Sequence, residues 1–247
     1  MSTYDKAITI FAPDGNLFQV QYAFEAVNRG SATVGIKGQD CIVLAVEKKA
    51  TAALQDAHTI RKILQVDEHI MLTFAGLQAD ARVLVDKARL ECQSFRFNFE
   101  DEPSLEYIAR FIAETQQKYT QKGGVRPFGI SAFIIGYEGT EPKLYLTEPS
   151  GAYSLWKANA IGRSSKSLRE YLEKNHKDGL TTNQAIKLGV EALLEVVESS
   201  KNIEICVLTG PKKFELLDDA TIDKFVKEIE KEREEQNAAK SQPPKWT

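Results

Sequence analysis

Cysteine and histidine are the residue types that most readily carry chemistry, and their spacing here supports none of its common forms. Cys41, Cys92 and Cys206 are odd in number and far apart, which suggests neither a disulfide framework nor a metal knuckle. His58, His69 and His176 show no ligand spacing with one another or with a cysteine, so no metal and no cofactor is expected. The run Gly162-Arg163-Ser164-Ser165-Lys166, at a strand-to-helix turn, could cradle a phosphate. It lacks P-loop spacing, and a turn ending in a serine helix cap is the plainer reading. Lys62 stands in an apolar run and reads on its own as a solvated strand lysine. The mixed charges of Lys224–Glu235 could form a coiled-coil arm, but the apolar stripe stops at Ile229, which favours a solvated helix end.

These residues must be positioned by a substantial core. The chain has 247 residues, 43% of them hydrophobic, enough for one large domain or two small ones. A net charge of −3 argues against nucleic acid as a general partner. No apolar run approaches the ~20 residues needed to cross a bilayer, and no secretory leader is evident at the start. A soluble, intracellular, metal-free protein is expected.

The opening stretch, Tyr4–Gly30, begins with alternating residues from Ala7 to Phe11 and turns at Ala12-Pro13-Asp14-Gly15. Val20, Ala23, Phe24 and Val27 then predict an amphipathic helix, with Gly30 as its C-terminal cap. Two apolar runs, Ala32–Ile36 and Cys41–Val46, predict a hairpin. Lys48–Thr59 reads as a loop, and Lys62–Val66 with His69–Phe74 as a second strand pair. A helix is expected to open at Ala75-Gly76 with the stripe Leu77, Ala81, Leu84, Val85, Ala88 and Cys92. Another begins near Pro103 and presents Tyr107, Ile108, Phe111, Ile112 and Tyr119.

Strands follow at Gly129–Gly136, Lys143–Thr147, Ala152–Trp156 and Lys157–Ile161. A helix from Ser164 and another capped by Thr181 with Gln184 come next. Ile203–Leu208, Phe214–Leu216 and a helix capped at Asp218 or Asp219 complete the order. Helices arrive in pairs, so simple βαβ winding fails. Two stacked antiparallel sheets flanked by helix pairs, a four-layer αββα sandwich, satisfy the pattern. The expected divisions are 1–30 as tail and first helix, 31–235 as core, and 236–247 as a disordered charged tail.

The opening stretch resembles the alpha-type subunit signature of the proteasome. So do Gly30-Ser31-Ala32-Thr33-Val34-Gly35, Gly76–Arg82, Gly123–Gly129 and Ala160-Ile161-Gly162. Leu193–Val197 and Lys201–Glu204 narrow the resemblance to one eukaryotic alpha type. It departs from the usual pattern at Lys6, Ala12, Asn16 and Gln21, all in the opening stretch. The resemblance implies the fold of N-terminal-nucleophile hydrolases and a place in the seven-membered alpha ring of the 20S core. Implied partners are neighbouring alpha subunits, beta-ring subunits, a regulatory particle or other activators docking C-terminal tails, and unfolded protein substrates in transit. Nucleic acid and membrane are not among them, and residence in cytoplasm and nucleus is implied.

In catalytic members of that superfamily the nucleophile is a terminal threonine whose own amine is the base. The resemblance puts Ser31 at that position, Glu47 near the acid, Lys62 at the lysine and Gly76 at the oxyanion glycine. A free α-amine has a pKa of roughly 7.7–8.0 and accepts a proton near neutrality. The nitrogen of Ser31 is an amide bonded to Gly30 and cannot, so no catalytic residue is expected. A peptidase processed to begin at Ser31 and a free-standing binding domain are the competing readings. The resemblance instead implies that Tyr4, Asp5, Pro13 and Tyr22 form a gate and that Gly30 and Lys62 form an activator pocket. Taken without it, Tyr22 is a half-buried helix residue, Asp5 a cap and Gly30 a helix end.

Overall fold

Alternation along single strands divides the molecule into layers. In β2 (Ile42–Glu47), Val43 and Ala45 join one apolar cluster while Ile42, Leu44 and Val46 join another. In β5 (Ile130–Glu138), Ile130, Ala132 and Ile134 face a third cluster, and Phe133 and Ile135 share the second with β2. Both strands are therefore covered on two faces, as expected of Gly129–Gly136.

The computed structural model describes residues 10–48, 61–197 and 202–240, with side chains to residue 233. Besides β2 and β5, its strands are β1 (Thr33–Lys37), β3 (Ile63–Asp67), β4 (Ile70–Gly76), β6 (Glu141–Thr147), β7 (Tyr153–Leu155), β8 (Ala158–Ile161), β9 (Ile203–Leu208) and β10 (Phe214–Leu216). The helices are α1 (Phe18–Asn28), α2 (Gln78–Phe99), α3 (Leu105–Gln121), α4 (Ser165–Asn175), α5 (Thr182–Leu194) and α6 (Asp219–Lys240). Two five-stranded sheets result, ordered β10-β9-β2-β1-β8 and β3-β4-β5-β6-β7, with every described pairing antiparallel. The middle cluster fills the space between them. Helices α2 and α3 cover the second sheet, and α4, α5 and α6 cover the first. This is the four-layer αββα sandwich.

Helix α1 stands apart from those layers. It lies against β4 and β5 at one end of the sandwich, and its Val27 reaches the cluster between the sheets. Its predicted stripe is only half sunk: Ala23 and Val27 are buried, whereas Val20 and Phe24 are partly exposed.

Several boundaries differ from expectation. Gly76 ends β4 rather than opening a helix, and Leu77 is the N-cap of α2, 44% exposed and outside the buried stripe. The start of α3 is capped by Ser104, whose Oγ accepts from the N–H of Tyr107, so Pro103 precedes the helix. Ser164 adopts a φ of 56° and makes no side-chain cap bond, so the expected serine cap is absent. The capping box of Thr181 and Gln184 is present. Helix α6 runs to Lys240, so residues 236–240 are helical rather than part of a disordered tail. Residues 1–9, 49–60, 198–201 and 241–247 lie outside the described residues. They include Tyr4, Asp5, Lys6, most of the Ala7–Phe11 alternation and most of the expected Lys48–Thr59 loop. Ile10–Ala12 belong to no strand.

Candidate functional site

Gly30 is where α1 meets the sandwich. Its N–H donates to the carbonyl of Val27 at 2.8 Å, closing the helix. The left-handed backbone usual for a C-terminal glycine is not what it supplies, because its φ is not positive. What requires glycine is contact: a Cβ there would fall 2.2 Å from the amide nitrogen of Gly76. Gly76 in turn has φ +119°, and a Cβ would lie 2.0 Å from the carbonyl oxygen of Gly129.

Beyond Gly30 the chain enters β1 through Ser31, and the residues mapped to a catalytic centre gather there in altered roles. The Glu47 carboxylate, 4% exposed, accepts from the Ala32 N–H at 3.1 Å. It is also gripped by Arg163, with Nε to Oε2 and Nη2 to Oε1 both at 2.6 Å. The backbone N–H of Arg163 donates to the carbonyl of Gly30 at 2.9 Å, and its Nη2 also reaches the carbonyl of Val196 at 3.2 Å.

Lys62 is 7% exposed, which overturns its reading as a solvated strand lysine. Its Nζ lies 4.7 Å from the centre of the Phe74 ring. Burial pushes its pKa below the ordinary lysine value, a shift the charge of Glu47 partly offsets.

No base serves Ser31 among the described residues. His69 Nε2 pairs with the carbonyl of Pro103 at 2.8 Å, His176 follows α4, and His58 lies outside the described residues. The thiols of Cys92 and Cys206 are buried, and desolvation pushes both up to about 12, so neither is a ready nucleophile.

Next to this centre, a surface cleft of about 450 Å³ is lined by Tyr22, Glu25, Ala26, Arg29, Gly30, Gly76 and Leu77. Tyr22 and Gly30 are thus brought together, and Lys62 is not among the lining residues. Tyr22 is 49% exposed and stacks on Phe18 with ring centres 6.4 Å apart. Pro13 is exposed at the turn before α1, where the N–H of Gly15 donates to the carbonyl of Ala12 at 2.8 Å. Asn16 belongs to that turn. Its backbone N–H and side-chain amide donate to Asp14 at 3.2 and 3.0 Å, and hold the Asp14 carboxyl below its usual range.

The wall of the cleft rests on a second ion pair. Arg126 donates to Asp80 through Nη1 and Nη2 at 2.6 and 2.8 Å, and Asp80 also accepts from the Gly129 N–H at 3.0 Å. The Gly129 carbonyl accepts from the Leu77 N–H at 3.0 Å. Burial opposes ionisation of Asp80, but Arg126 and the Gly129 amide outweigh it and hold the carboxyl below its ordinary value. Sequence reasoning missed both arginine clamps. Each joins segments that read separately along the chain, and no local spacing pairs residues 46 or 116 positions apart.

The sandwich and this junction define a class: an N-terminal-nucleophile fold in which the nucleophile position is not a terminus. A family model described as "Proteasome subunit" matches residues 27–208, and a second, the "N-terminal signature" of the A-type proteasome chains, matches residues 4–26. The chain belongs to the proteasome subunit family, as a non-catalytic member of alpha type. It is 61% identical to "Proteasome subunit alpha type-7" of Dictyostelium discoideum, over 94% of this chain and 93% of that one. It is 56% identical to the protein of the same name from Cicer arietinum, over the whole of both. It is 54% identical to "Proteasome subunit alpha type-7-like" of Macaca fascicularis, over 97% of this chain and 98% of the relative.

Proposed function

We propose that this subunit, set in the alpha ring of the 20S particle, gates substrate entry with its N-terminal segment and receives the C-terminal tails of activators in the cleft at the end of α1. The observation that carries the reading is the cleft itself. Its floor is Gly30 against Gly76, its sides are Tyr22, Arg29 and Leu77, and it opens at the root of the helix that follows the tail. A docked tail would touch α1 directly and so bias the segment before it. The terminal carboxylate of such a tail needs a cation. Arg29 lines the cleft, and Lys62 is a buried ammonium whose lowered pKa marks incomplete compensation of its charge. Tyr4 and Asp5 complete the proposed gate with Pro13 and Tyr22.

Placement among neighbouring subunits is supported by the outer face of α2. Val83, Leu90 and Phe97 recur every seventh residue there and are 49%, 72% and 86% exposed. The experiment for Lys62 is its replacement by alanine in reconstituted particles. Stimulation of peptide hydrolysis by an activator should fall while particle assembly stays intact. Unchanged binding of activator C-terminal peptides would show that Lys62 takes no part in tail docking.

A further inference from the structure

One residue, Arg163, holds the chain on both sides of Ser31, through its backbone N–H on one side and its guanidinium on the other. The N–H of Arg163 fixes the carbonyl of Gly30 at 2.9 Å. Its guanidinium, through both oxygens of Glu47, fixes the carboxylate that accepts from the N–H of Ala32. The same turn presses on the peptide between them: a Cβ on Gly162 would lie 2.1 Å from the Ser31 carbonyl oxygen. The contact of Nη2 with Val196 ties the assembly to the segment following α5. The Arg163 guanidinium is thereby committed to Glu47 and is taken away from the phosphate reading of Gly162–Lys166.

We infer that Arg163 is a positioning residue for the cleft at the end of α1. The acid position of the catalytic relatives serves here as its anchor. Gly30 forms the cleft floor at a separation from Gly76 that leaves no room for a methyl group, so a small displacement of Gly30 changes the shape a tail meets. The backbone amide of Arg163 holds the Gly30 carbonyl, and the pairing of its guanidinium with Glu47 fixes the turn that carries that amide to the strand entered through Ala32. The residue has to be arginine because the planar fork engages both carboxylate oxygens, which an ammonium cannot do in the same geometry. Glu47, which is buried, would otherwise keep only its longer-range interaction with the Lys62 ammonium.

The inference rests on the proposal that the cleft receives a carboxylate tail, and the test separates the two. Particles carrying Arg163→Lys or Leu77→Asp in this subunit are titrated with a fluorescein-labelled peptide copied from an activator C-terminus, with its amidated form as control. Leu77 is an exposed lining residue outside the Arg163 contacts, so Leu77→Asp alters the cleft while leaving the Arg163–Glu47 pair in place. Arg163→Lys should weaken the peptide by about tenfold, at unchanged particle mass, with faster hydrogen exchange at the Ala32 amide. Weakening by Leu77→Asp but none by Arg163→Lys overturns the role of Arg163 and leaves the docking reading standing. No effect of Leu77→Asp overturns docking, and this inference with it. Failure of Arg163→Lys particles to assemble would show a general structural role and also overturn the inference.

Discussion

Asp80 shows how a single carboxylate can shape a surface it barely touches. It is 8% exposed, and its two oxygens are shared between a bidentate arginine and the amide that begins the Gly129 hydrogen-bond relay to Leu77. Asp80→Asn keeps an acceptor for Gly129 but loses the charge-assisted pair, and should cost about 1–3 kcal/mol of stability in urea unfolding of the isolated subunit. The effect should depend on pH in a defined direction. Folding holds this carboxyl below its unfolded value, so its contribution is complete above roughly pH 4 and fades as pH falls through the lower folded pKa. The gap between wild type and Asp80→Asn should therefore narrow in acid; a constant gap down to low pH would refute the ion-pair account. At this scale the sequence was partly legible. Glu47, Lys62 and Gly76 were located because the resemblance marks their positions. Arg163 and Arg126 were not, because a side chain's partner depends on where the fold brings distant segments together.

At the scale of elements, periodicity carried most of the information. Strands with two-residue alternation and helices with a three-to-four residue stripe were found where expected, because one buried face is enough to specify either. The misses fall at junctions, where backbone crowding decides and no periodicity applies. Gly162 is such a place: it links β8 to α4 with φ +86°, and its missing Cβ clears the Ser31 carbonyl. Gly162→Ala should destabilise by about 1–3 kcal/mol from backbone strain alone, with the steric clash added. Gly123 has nothing within 4 Å of its would-be Cβ and no positive φ, so Gly123→Ala should change stability by no more than about 0.5 kcal/mol. Thermal unfolding of the two variants checks the contrast. Equal effects would mean that a small backbone shift relieves both the left-handed strain and the contact at Ser31.

For the whole molecule, the question is which surface the folded chain keeps dry. The three apolar clusters account for the inward faces of both sheets and of α2 to α6, yet α2 carries a second apolar line on the side away from them. Val83, Leu90 and Phe97 recur every seven residues, and two turns of an α-helix place such residues in nearly one row. A groove beside Leu90 and Phe97 is lined by Gln93, Ser94 and Arg96, a polar margin around an apolar ridge. That arrangement is characteristic of an interface core with its rim. Leu90→Asp with Phe97→Asp should leave the isolated chain folded, since both side chains already face solvent, with an unfolding midpoint close to that of wild type. The same pair should block incorporation into 20S particles when all subunits are co-expressed, because two buried carboxylates without partners cannot be tolerated at an apolar contact. Thermal unfolding reads the first result and native mass spectrometry the second. Full incorporation of the double variant would show that this face of α2 stays in water in the particle, and the contact that orients the subunit would then have to be sought on another face.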